Sequence, residues 1–101
     1  MKMYTIDGAL LTETPEIRIG DKIYKVDNRL STVKRIAEEI KVNPNDEMDI
    51  SLKNALGEAA HAEIIAMDLP VTAMAEIMIT VSAAVNGWTV EETRKRFLGE
   101  K

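Results

Sequence analysis

From Leu69 to Val85 the chain is almost wholly apolar, and Asn86-Gly87 closes that run. No other segment limits the fold so strongly. Pro70 suits the first turn of a helix, where a missing N–H costs nothing. Glu76 is the sole charge between Pro70 and Val85. A helix this apolar needs cover on most of its circumference, and the rest of the chain or a second subunit has to supply it. Helical spacing gathers Met74, Ile77, Met78, Val81, Ala84 and Val85 into one buried face. Thr72, Ala73, Glu76, Thr80 and Ala83 form a narrow strip opposite, with Ile79 at its border. Small side chains let another backbone come close, so the strip suits either the preceding helices or a subunit contact. Asn86-Gly87 supplies left-handed residues to end the helix. Thr89 and Glu92 form a capping box that starts another at once.

The chain has 101 residues, enough for one modest core. Hydrophobic residues make up 46% and charged residues 30%, the balance of a globular domain. A formal net charge of −4 disfavours nucleic acid and anionic membranes as partners. With no cysteine, disulfides, thiolate metal sites and thiol catalysis are excluded. The N-terminus has no signal-peptide pattern. Thr72, Glu76, Thr80 and Ser82 interrupt the longest apolar run, which is short for a membrane span.

Residues 1–15 read as a flexible arm, with scattered apolar side chains and a short strand near Met3–Ile6 as the alternative to a frayed end. Residues 16–101 form the globular part. Glu16 to Val26 predicts a β-hairpin turning at Gly20-Asp21 in a type II′ turn, with Ile17 opposite Tyr24. Helices are predicted at about 30–41, 47–56, 58–67, 70–85 and 90–98. In the first of these, Val33, Ile36, Ala37 and Ile40 make one apolar stripe, and Ser31 or Asn28 is the expected cap. Lys34 and Arg35 stand near its positive end, and Glu38 and Glu39 near its negative end. Pairs Lys34–Glu38 and Arg35–Glu39 offset that. Glu38 and Glu39 are also a candidate partner-facing acidic patch. In the last helix the acids precede the bases, with Glu91–Lys95 and Glu92–Arg96 well placed to pair. Trp88 is expected to anchor that helix to the core. The fold class is α+β, mostly α: a hairpin followed by four to five short helices around a central apolar one.

Reactive groups are sparse. His61 is the lone histidine, and His61-Ala62-Glu63 lacks the cysteines a zinc deaminase requires. Asn43, Asn45, Glu47 and Asp49 alternate as in a calcium loop, but Met48 and Asn54 stand where its glycine and closing glutamate belong. Ser31, Ser51 and Ser82 have no base nearby in sequence. No catalytic residue, cofactor or metal is expected. The connection through Asn86-Gly87 is similar to a helix-turn-helix, yet its second helix opens with Glu91 and Glu92. Arg94, Lys95 and Arg96 spread around that helix rather than line up.

Four segments in order carry a family resemblance. Ile17-Arg18-Ile19-Gly20-Asp21-Lys22-Ile23-Tyr24-Lys25-Val26 resembles an I-x-I-G-x-K-x-Y-x-V opening. Leu56-Gly57-Glu58 resembles an LGEE step between helices, and Ala66-Met67-Asp68-Leu69 the linker before the central helix. Ile77 to Gly87, then Thr89-Val90-Glu91-Glu92 and Phe97, resembles a closing helix–NG–x–T–x–E–E–helix–F pattern. The order is similar to that of tail assembly chaperones of long-tailed bacteriophages. The resemblance implies a non-enzymatic protein of the bacterial host cytoplasm, from a phage or prophage. It would bind the tape-measure protein, and the tail-tube protein as a further partner, as a homo-oligomer. The family fixes no binding residues by motif. The candidates taken from the residues themselves are Glu38, Glu39, Glu76, Ile79, Thr80 and Trp88. The alternatives are a small helix-turn-helix DNA-binding regulator and an accessory subunit of an unrelated complex.

Overall fold

The computed structural model describes residues 2–99. It is an α+β fold, mostly α, with a two-stranded antiparallel sheet and six α-helices among the described residues. The strands are β1 (Glu16–Ile19) and β2 (Lys22–Lys25). The helices are α1 (Gly8–Thr12), α2 (Leu30–Val42), α3 (Glu47–Leu56), α4 (Glu58–Ala66), α5 (Val71–Asn86) and α6 (Val90–Leu98). A 3₁₀ turn at Pro44–Asp46 joins α2 to α3.

The hairpin forms in the register its sequence dictates. Ile17 stands opposite Tyr24 and both are buried, while Ile23 lies exposed on the other face opposite Arg18. Gly20 has φ +62° and Asp21 keeps a negative φ, as a type II′ turn requires. Two strands alone are barely stable, so the hairpin is fastened at both ends. The Val26 N–H donates to the Pro15 carbonyl at 2.9 Å, and the Asp27 N–H donates to the Ala55 carbonyl at 2.8 Å. An ion pair from Lys22 to Glu63 ties the turn to α4.

α3 is as central as α5. It packs against α2, α4 and α5, and its Leu52 and Ala55 join Ile17, Tyr24, Val26, Ala60, Ile64, Ile77 and Val81 in one core. Gly57 alone separates α3 from α4. Its φ of +96° and ψ of 158° lie where only glycine is comfortable, so the two helices meet at a fixed corner.

The strip on α5 is flanked by α6 and β1: Glu76 bonds to Arg94 of α6, and Glu76 and Thr80 border Ile17, Arg18 and Ile19, while Thr72 stays exposed. Gly87, at φ +70°, ends α5, and the Thr89 hydroxyl accepts from the Glu92 N–H at 3.0 Å to start α6. The axes of α5 and α6 are bent by 117°, so α6 turns back across the end of α5. Ile79 and Ala83 are buried on α5, and Thr93 on α6. Thr93 donates its hydroxyl proton to the Thr89 carbonyl at 2.9 Å. Trp88 contributes less than expected. It is half-buried and stacks under the Arg96 guanidinium, 4.2 Å from the ring centroid.

Three local expectations are corrected. Neither Ser31 nor Asn28 caps α2. Arg29 holds the cap position without a side-chain bond, and the Asp27 carboxylate takes the Arg29 N–H at 3.1 Å together with its guanidinium at 2.9 and 3.0 Å. Arg29 holds the Asp27 carboxyl well below the usual carboxylate range, against the opposing effect of partial burial. Arg35 does not pair with Glu39 because Asn54 of α3 takes its guanidinium, and Lys34 and Glu38 form no ion pair either. The arm holds no strand at Met3–Ile6. With no partner strand beside it, the chain forms a single helical segment instead, started by Asp7 accepting the Ala9 N–H at 3.0 Å. Residues 2–14 are all exposed. The radius of gyration of 15.0 Å exceeds the roughly 13 Å of a compact chain of this length, and one axis of 57 Å is close to twice the others, 32 and 27 Å.

Candidate protein-binding surfaces

An apolar groove of about 210 Å³ runs between α2 and α5. Val33, Ile36, Ala37 and Ile40 form one wall, Val81, Ser82, Val85 and Asn86 the other, with Ser51 of α3 also lining it. The wall from α2 is the stripe that the sequence assigns to the core. In the fold none of its four residues is fully buried, and Ala37 is exposed.

A polar latch explains the gap. Arg35 Nε donates to Asn54 Oδ1 at 2.6 Å. Asn54 Nδ2 donates to Glu39 Oε2 at 2.7 Å and to the Ile50 carbonyl at 2.8 Å. These bonds fasten α2 to α3 through its polar flank. The apolar stripe is then held facing α5 across a channel rather than pressed into it. Hydrogen bonds to charged groups are among the stronger stabilising contacts, so this is a defined position for α2.

A second apolar groove, of about 320 Å³, lies where α6 crosses α5. Met48, Ala75, Met78, Ile79, Phe97 and Leu98 line it, with Glu47 at its rim. Phe97 and Leu98 are exposed at its edge.

The third surface carries most of the charged groups. Glu39, Asp46, Asp49, Lys53, Asn54 and His61 line an open depression between α2, α3 and α4, together with Ile50 and Ile65. His61 Nε2 lies 2.9 Å from Asp49 Oδ1. A histidine oriented by a carboxylate is one part of a nucleophilic relay, but no serine or threonine lines this depression. Among the described residues no three His, Asp or Glu side chains come together as metal ligands.

The six candidate residues do not converge. Glu38 is exposed on α2, and its neighbour Glu39 is drawn into the latch. Glu76 pairs with Arg94 of α6 through a bond of 2.8 Å, and that guanidinium holds its carboxyl below the ordinary value. Thr80 is half-buried and donates to the Glu76 carbonyl at 2.8 Å. Ile79 is only 7% exposed and meets the second groove rather than a free surface. Trp88 sits apart at the α5–α6 junction. Sequence reasoning passed over Val33, Ile36, Ile40 and Val85 as surface groups because an apolar stripe is ordinarily closed. The available signal was Ala37, too small to fill the space across the helix.

Among the described residues no single helix is long and apolar enough to cross a membrane. In comparisons with known proteins, no family model, curated protein or solved structure matches this chain.

Proposed function

We propose that this protein is a non-enzymatic binder of apolar helical segments, acting as a tail assembly chaperone of a long-tailed phage or prophage. It works in the bacterial host cytoplasm. Its client is the tape-measure protein, with the tail-tube subunit as a further partner. The observation that carries the proposal is the open channel between α2 and α5. A client helix laid there presents apolar residues at helical spacing to Val33, Ile36, Ile40, Val81 and Val85. The latch through Asn54 keeps the channel formed before the client arrives, which lowers the ordering cost of binding. Long apolar helices of a tape-measure protein need such shielding until the tube closes around them. The four ordered segments from Ile17 to Phe97 join this geometry to the phage family.

The test is co-purification with segments of the tape-measure protein encoded beside this gene. Ile36→Asp is expected to abolish capture while the chain stays folded. Capture that ignores Ile36→Asp would refute the groove as the client site. Gene order offers a second check: a tube gene upstream and a very long helical gene downstream are required.

One observation favours a DNA-binding reading. The bend of 117° between α5 and α6 is within the range of helix-turn-helix pairs. The basic residues of α6 are already engaged, however: Arg94 with Glu76, Arg96 over Trp88, and Lys95 within 3.8 Å of Glu91. Titration with duplex DNA at low salt decides between the two, and salt-dependent binding lost in Arg94→Glu would favour the regulator.

A further inference from the structure

The arm and the α2–α5 channel are complementary, and neither is satisfied within one chain. Leu10 and Leu11 on α1 are 67% and 71% exposed, and Met3, Tyr4 and Ile6 before them are exposed too. None of α1 is buried, and every residue from 2 to 14 is exposed. The charges match as well. Helical spacing puts Lys34 and Lys41 on one flank of α2, beside Ala37 and away from Arg35 and Glu39, about 10 Å apart along the helix. Asp7 and Glu13 bracket α1, about 9 Å apart. None of these four groups has an ion-pair partner among the described residues.

We infer that the arm of one copy lies in the α2–α5 channel of a second copy of this chain. Leu10 and Leu11 enter between Ile36 and Val85, and Asp7 and Glu13 meet Lys34 and Lys41. The arm buries none of its apolar side chains on its own body, which assigns it to a neighbour. The exchange serves as a placeholder: it covers the channel until a client helix displaces it. The inference rests on the channel being the client site, and it adds both the oligomer contact and its competition with the client.

Sedimentation of the full chain over a roughly hundredfold concentration range is the experiment, because exchange between copies follows mass action. The unmodified chain is expected to associate. Leu10→Ser with Leu11→Ser should weaken association by about tenfold or more. These side chains touch nothing buried, so an unchanged melting curve at concentrations where both chains are monomeric will certify the fold. Lys34→Glu with Lys41→Glu should weaken it also, and Asp7→Lys with Glu13→Lys in that background should restore it. A labelled synthetic peptide of residues 2–14 should bind the full chain, and binding should vanish in Ile36→Asp.

A chain that stays monomeric throughout overturns the inference, as does association indifferent to Leu10 and Leu11. Concentration-independent burial of the arm overturns it too, since that places the arm in its own channel. The client arm separates the two proposals. If tape-measure capture depends on Ile36 but association ignores the arm, only the exchange fails. If capture ignores Ile36, the channel itself is misassigned. With both correct, the arm variant captures client more strongly than the unmodified chain.

Discussion

α5 and α2 both present apolar residues at helical spacing, yet they end in opposite states. α5 is covered by β1, α3 and α6, and five of its residues are buried. α2 buries only Thr32, and its stripe borders open space. The difference is one of neighbours rather than of composition. α5 is followed by a helix that Gly87 folds straight back onto it. α2 is followed by a short turn and one helix, α3, which grips its polar flank through Asn54. A hydrophobic pattern therefore marks a face that wants cover, and the chain's path decides whether cover arrives from within.

The comparison breaks most directly through core truncation. Leu52, fully buried beneath α5, should lose about 3 kcal/mol when changed to Ala. Ile36→Ala in the channel should lose under about 1 kcal/mol, because its side chain is already half in water. Urea denaturation measures both. Equal losses would mean that α2 closes onto α5 in solution.

Next in size is the corner between α3 and α4. A Cβ on Gly57 would meet nothing within 4 Å, so Gly57→Ala isolates backbone strain, about 2 kcal/mol. A loss much below that would show that the corner can relax.

The start of α2 is held by charge and should be sensitive to acid. The Asp27 carboxyl is depressed below its ordinary value of 3.8, so its contribution is complete above that pH and fades as pH falls further. Asp27→Asn should cost about 1 kcal/mol at neutral pH. The gap between variant and parent should narrow below about pH 4 and not above it. A gap unchanged at pH 3 would refute the charge-based fastening.

The smallest effect has the opposite sign. The Tyr24 hydroxyl is buried without a hydrogen-bond partner. Tyr24→Phe removes that unmet group and should raise stability by up to about 1 kcal/mol. A loss instead would reveal a partner for the hydroxyl, such as a buried water.

Much of the fold was legible because its signals are local. Predicted helices at 47–56 and 90–98 match α3 and α6 in both bounds, those at 30–41 and 58–67 differ by one residue at the C-terminal end, and 70–85 is displaced by one residue from α5. Pro70, Gly57, Gly87 and the Thr89–Glu92 box act through adjacent backbone groups, so the chain states them directly. What lay hidden depends on distant partners. Nothing near Arg35 announces Asn54, 19 residues away, which outcompetes Glu39 one turn along. Nor does the strip on α5 declare that α6 and β1 will flank it. The candidate surfaces were read less well for the same reason. Ile36 and Ile40 look like core residues in sequence, and only the placement of α5 shows them lining a channel. Ile79 looked like a border residue and is covered by a helix whose course was unknown.

The clasp between the Val26 N–H and the Pro15 carbonyl marks where this fold begins to bear load. Everything before it can be trimmed without releasing a core side chain, since residues 2–14 are all exposed. At concentrations too dilute for copies to associate, digestion by a broad-specificity protease should therefore stall near Thr14, leaving a stump that melts as the full monomer does. The same boundary lets the leading segment change its sequence, length or cargo at no expense to the body behind it.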